Sequence, residues 1–243
     1  MEFKLRENPL SCEIMPMDHQ VIKSDDPLPL GNLNYIFCGK KGSGKSTLLL
    51  NLLKRKTSPY YKSFDNIYLI SPTANRDPKF DKLVEELKED DKYCDELNDD
   101  IIDAVVEKIN AYNETYKKEH PKKTPRNLLI LDDCIHMLPN STKRSSINQL
   151  FTNQRHMKLT IFICTQQLSK LNRLIRTNAD LLSFFPNDNR KEFETLVDEW
   201  SIDPKFLERV YKYATDAPNS FLHISFCGRK PVFFKKFDRI ITE

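Results

Sequence analysis

Gly39-Lys40-Lys41-Gly42-Ser43-Gly44-Lys45-Ser46 fits the pattern GxxxxGK[ST] at every fixed position. The chemistry of that spacing is phosphate binding. Successive backbone N–H groups of such a loop turn inward around a triphosphate, and glycines permit both the close approach and the dihedrals this needs. A helix opening directly behind the loop adds the positive end of its dipole. Lys45 is placed to reach the β- and γ-phosphates, and the Ser46 hydroxyl to hold Mg²⁺. The nucleotide-binding stretch therefore runs Gly39, Lys40, Lys41, Gly42, Ser43, Gly44, Lys45, Ser46 and Thr47. Glycine is scarce elsewhere: the chain has five in 243 residues, where average usage gives about 17. Three of the five fall within this loop.

Other polar residues could complete a hydrolytic site. Asp132-Asp133 closes the apolar run Asn127–Leu131. An acidic pair there suits a metal-binding Asp132 and an Asp133 that orients or deprotonates an attacking water. By itself such a pair is often a turn or a helix cap. Thr165-Gln166-Gln167 ends the next apolar run, where Gln166 would face the γ-phosphate from the carboxyl edge of a parallel sheet. Arg155 and Arg176 flank that strand, and an arginine lent by a neighbouring subunit can stabilise transition-state charge. Helix-end arginines are the ordinary alternative. The catalytic candidates are thus Lys45, Asp133, Gln166, Arg155 and Arg176, with Ser46 and Asp132 for the metal.

The elements that must position these residues follow from hydrophobic spacing. Asn34–Cys38, Asn66–Ser71, Asn127–Asp133, Leu159–Thr165 and Leu181–Phe185 are predicted strands. Helical spacing covers Ser46–Lys56, Lys79–Asp90, Asn98–Lys118, Ser141–Gln154, Leu168–Arg176, Arg190–Trp200 and Pro204–Thr215. Phe221–Phe226 and Val232–Phe237, about a turn at Gly228, predict a closing β-hairpin. Strands alternating with helices predict an α/β fold with a mainly parallel central sheet flanked by helices. Residues 1–33 read as an N-terminal extension and 34–243 as one domain, with an acidic helical insertion at about 77–107.

Composition narrows the function classes. Hydrophobic residues make up 39% and charged residues 30%, which excludes fibrous and low-complexity chains. No apolar run approaches 18 residues, so no membrane span is expected. The charged N-terminus lacks a signal-peptide core, which argues against export. The six cysteines form no CxxC pair and none sits at zinc-finger spacing from a histidine, so they read as reduced and buried. The net charge of +3 is uneven. Residues 77–107 hold 13 acids and 4 lysines, a net of −9, which leaves +12 for the remainder. That asymmetry fits either a basic face for a polyanion or ordinary solvated helices. Lys117–Arg126 and Lys143-Arg144 are the candidate phosphate-gripping stretches.

The loop, Asp132-Asp133 and Thr165-Gln166, in this order, resemble the FtsK–HerA superfamily of DNA-pumping ATPases. The spacing from Arg155 to Thr165-Gln166, and the segment Leu174-Ile175-Arg176-Thr177-Asn178, are also similar to that superfamily. The compact size, the Asp-Asp ending and Arg155-His156 resemble its viral branch, the genome-packaging ATPases of poxviruses, giant viruses and virophages. The likeness covers about Asn34 to Phe237. It implies a RecA-like (ASCE) P-loop NTPase, ATP with Mg²⁺, double-stranded DNA as cargo and a homo-oligomeric ring, pentamer or hexamer. It further implies a capsid or portal protein as partner, and a place in the host cytoplasm, viral factory or virion. It favours Arg155 over Arg176 as the arginine acting in trans. Cellular members usually carry Asp-Glu; Asp133 is one methylene shorter, so as the base it would have to approach more closely or act through better-placed water. A hexameric helicase, a DNA-segregation pump, a small phosphotransferase and a non-catalytic DNA-binding protein are the alternatives. A GTPase is disfavoured, because no NKxD motif occurs and no DxxG follows Asp132.

Overall fold

The computed structural model describes residues 26–134 and 145–241. Six parallel strands form the body of one sheet: β1 (Asn34–Cys38), β2 (Asn66–Ile70), β3 (Tyr93–Cys94), β4 (Asn127–Asp132), β5 (Leu159–Thr165) and β6 (Leu181–Phe184). Three antiparallel strands extend it: β7 (Leu222–Ser225), β8 (Val232–Lys235) and β9 (Asp238–Arg239). The order across the sheet is β3-β2-β4-β5-β1-β6-β7-β8-β9. β5 thus separates β1, which leads into the glycine loop, from β4, which ends in the acidic pair.

Among the described residues seven α-helices cover the sheet: α1 (Lys45–Lys54), α2 (Asp81–Glu89), α3 (Asp99–Glu119), α4 (Ser146–Asn153), α5 (Arg173–Thr177), α6 (Arg190–Trp200) and α7 (Pro204–Ala214). Alternating strand residues point to opposite faces. Tyr35 and Phe37 pack with Leu49 and Leu52 of α1 and Leu83 and Leu87 of α2. Ile36 and Cys38 join the opposite core, with Ile102 and Ile109 of α3, Leu150 of α4 and Leu207 of α7. Both faces are covered, which is why the central strands read as unbroken apolar runs. Among the described residues no helix is long and apolar enough to cross a membrane.

The mainly parallel α/β architecture is the expected one, with local differences. Leu168–Arg176 is not one helix but a 3-10 turn over Leu168–Lys170 followed by α5. Asn172 breaks it, because its side chain accepts the Leu174 N–H and starts a new helix. β3, two residues long at the sheet edge, lies inside the acidic segment and is too short to leave a periodic signal. The closing hairpin is one part of a longer antiparallel extension. β7 pairs with β6, and β8 turns back into β9 through Lys236 at φ 56°. Lys143-Arg144 and the first 25 residues of the N-terminal extension lie outside the described residues.

Candidate nucleotide site

Register sets the site. Cys38 pairs with Thr165, and Cys164 with Asp132, so β1, β5 and β4 end level at their carboxyl edge. The Gly39 N–H donates to the Thr165 carbonyl at 3.1 Å, and the Asp133 N–H to the Cys164 carbonyl at 3.1 Å. These bonds gather the glycine loop, Gln166 and Asp132-Asp133, although up to 127 positions separate them in the chain. Gly39 is required by a close approach: a Cβ there would stand 2.6 Å from Phe185 Cβ and 2.7 Å from Ser43 Oγ. Gly44 has φ +102°, a left-handed conformation at the N-cap of α1 that a side chain would strain. Lys45 is buried, and its ammonium donates to the carbonyls of Gly39 (2.6 Å) and Lys40 (3.1 Å), so it is held inside the loop's concavity. Ser43 Oγ is buried without a hydrogen-bond partner. An orphaned hydroxyl in such a loop fits a ligand rich in acceptor oxygens. Lys40 reaches outward to Asp188 at 3.0 Å, while Lys41 and Thr47 are exposed.

The two aspartates differ sharply. Asp132 is buried and accepts hydrogen bonds from Ser71 Oγ at 3.2 Å and Ser46 Oγ at 3.5 Å. Burial raises its pKa above the ordinary carboxylate value, and the neighbouring Asp133 charge adds to this. A positive ion at that point would offset the cost of ionising it. Among the described residues no three His, Cys, Asp or Glu side chains gather for a metal. The Ser46–Asp132 oxygen pair nevertheless fits Mg²⁺, which takes few protein ligands beside phosphate oxygens. Asp133 is half-buried, sits at φ 51°, and accepts from Gln166 Nε2 at 3.1 Å. The left-handed turn throws its carboxylate out of the strand line toward Gln166.

The arginines do not join this edge. Arg155 lies before the amino end of β5, exposed, with Nη2 3.6 Å from Asp180. The seven residues of β5 put about 20 Å between it and Gln166. It borders a cleft of about 1300 Å³ at the amino edge of the sheet, which Lys62, Lys123, Arg126 and Lys158 also line. Arg176 is committed elsewhere: it pairs with the nearly buried Glu199 at 2.7 Å and donates to the Leu171 carbonyl. Three residues near the site carried no functional signal in the sequence. Ser71 orders the turn after β2 and holds Asp132. Phe185 closes over Gly39 and Gly44. Glu192 is fully buried on α6 and bonds Ser169 just beyond Gln166.

Comparisons with known proteins agree with the fold. The family model described as "Poxvirus A32 protein" matches residues 25–212. The genome packaging NTPase B204 of Sulfolobus turreted icosahedral virus 2, in complex with AMP, superposes with a TM-score of 0.59 at 18% identity, covering 90% of this chain and 100% of that one. B204 of Sulfolobus turreted icosahedral virus, a DNA-packaging ATPase, gives 0.60 at 19% identity, covering 87% and 99%. The chain therefore has the P-loop NTPase fold of those proteins. No curated protein sequence matches it.

Proposed function

The chain belongs to the Poxvirus A32 protein family, and on that premise we propose that it is an ATP-driven motor moving double-stranded DNA into a viral capsid. Hydrolysis takes place at the subunit interfaces of a ring. The observation that carries the reading is the split between the two edges of the sheet. The carboxyl edge gathers the glycine loop, Ser46, Asp132, Asp133 and Gln166. The amino edge carries Arg155 and the basic cleft. A subunit so built holds half a site on each edge, and head-to-tail stacking completes it; when the rotation closes, the result is a ring.

In this reading the loop N–H groups and Lys45 grip the β- and γ-phosphates, while Ser46 and Asp132 hold Mg²⁺. Bound there, Mg²⁺ would neutralise charge on the phosphate oxygens. Asp133 orients the attacking water and accepts its proton, and Gln166 holds the γ-phosphate. Arg155 of the neighbouring copy meets the charge that develops on that phosphate. Arg176 has a structural role in its pair with Glu199. Complexes of B204 with AMP, AMPPCP and ATP-gammaS support a nucleotide in this loop. Duplex DNA is gripped through its phosphates by basic side chains of the ring. A capsid or portal protein is the further partner, with action in the host cytoplasm, a viral factory or the virion. The test is ATP hydrolysis by the purified chain with and without duplex DNA, beside a mass measurement of the assembly. Duplex DNA should raise the rate, and Lys45→Ala should lower it by about 10² or more. A rate that ignores DNA removes the motor reading, and an active Lys45→Ala variant removes the site.

A further inference from the structure

Glu192 is fully buried, and the proposed hydrolysis gives it no task. Its place on α6 makes this unexpected. It is the third residue of the helix, after the N-cap Asn189. A glutamate there ordinarily folds back onto the N-cap amide as half of a capping box. Here the Asn189 N–H is already taken by Asn187 Oδ1 at 3.0 Å. The carboxylate instead crosses to the turn after β5. One oxygen accepts the Ser169 N–H at 3.0 Å, and the other accepts the Ser169 hydroxyl at 2.6 Å. Bonds of this kind to an ionised acceptor are the strong ones.

Ser169 stands three residues beyond Gln166. The segment between them is pinned at both ends. Thr165 closes β5, with its hydroxyl bonded to the Gln167 backbone at 3.2 Å, and Ser169 is held by Glu192. Gln166 projects from the middle, exposed, with its amide 3.1 Å from Asp133. The same carboxylate adds to the burial that pushes the Cys38 thiol up to about 12. A second tie joins the same region to the loop, the Asp188–Lys40 pair, but both its side chains are exposed. Exposed pairs contribute little, so of these two ties the buried one holds more firmly, beside the burial of Leu168 and Leu171 in the core.

We propose that Glu192 is a positioning residue for hydrolysis: through Ser169 it sets where the end of β5 holds Gln166 against Asp133 and the γ-phosphate. This rests on the reading of Gln166 as a γ-phosphate contact. The experiment is steady-state ATPase of the full chain with duplex DNA for Glu192→Gln, Ser169→Ala, Gln166→Ala and the Glu192→Gln/Gln166→Ala double variant. Affinity for a fluorescent ATP analogue and thermal melting are measured on the same samples. Glu192→Gln keeps the shape and removes the charge. Glu192→Gln and Ser169→Ala should each lower kcat by about tenfold, with nucleotide affinity changed less than about twofold. In the Gln166→Ala background the Glu192→Gln effect should vanish, since coupled residues are not additive. Additive losses, or a lowered melting temperature with kcat intact, would make Glu192 a structural residue and overturn the proposal. If Gln166→Ala itself keeps full kcat, the Gln166 reading fails instead, which is a separate outcome.

Discussion

At the scale of one residue, Asp132 shows how a buried carboxylate opposes stability. Its neighbours place a carboxylate where burial and Asp133 both disfavour its charge. A carboxyl whose folded pKa is raised lowers stability as pH climbs from its unfolded value through the folded one. Asp132→Asn should therefore abolish hydrolysis yet raise the melting temperature at pH 7 without nucleotide or Mg²⁺. A scanning calorimetry or dye-melt comparison checks this, and a lower melting temperature would contradict the account. The sequence marked Asp132 through its place after an apolar run. It left no trace of Ser71, 61 positions away, whose hydroxyl orients that carboxylate.

Elements explain how the sheet is tied to the connector before β1. His223 on β7 is buried, with Nδ1 3.1 Å from Ser183 Oγ on β6 and Nε2 2.7 Å from the Pro27 carbonyl. Tyr35 of β1 joins the same network through Ser183 at 2.7 Å. Burial pushes the His223 pKa down to about 3. The unfolded chain then binds a proton from about pH 6.5 downward that the folded chain refuses. Stability should fall as pH drops from about 6.5 toward 3, and His223→Gln should flatten that part of the decline in urea melts taken across the range. A slope unchanged in the variant would place the acid sensitivity elsewhere. The strands in this network were legible from their apolar runs. Their pairing was not, because β7 reaches β6 past two helices, and strand neighbours depend on packing that local propensity does not encode.

At the scale of the molecule, Lys45 and Arg155 stand on opposite edges of one sheet. Lys45→Ala and Arg155→Ala chains should each be inactive alone. Mixed in equal amounts they should regain activity at about a quarter of the interfaces, where an intact loop meets an intact arginine across a head-to-tail contact. An inactive mixture, with assembly verified by mass, would remove Arg155 from the shared site. The acidic segment takes on a different character at this scale. Its helices bury Leu83 and Leu87 against one face of the sheet and Ile102 against the other, so its −9 charge is the solvent side of elements that complete both cores.

Residues Gly39 to Ser46 declare their chemistry before any fold is known, because a phosphate loop is built from its own backbone and from dihedrals that only local residue types permit. The alternation of strands and helices is equally local, a matter of spacing and burial on both faces. Strand order is not local. The placing of β5 between β1 and β4 brings Gln166 to Asp133, sends Arg155 to the far edge and commits Arg176 to Glu199. It also turns Glu192, which in the sequence looks like part of a solvated helix face, into a buried tie to Ser169. Contacts across tens of residues are set by which strands lie adjacent and in what register, and that is decided only when the two cores close on the sheet.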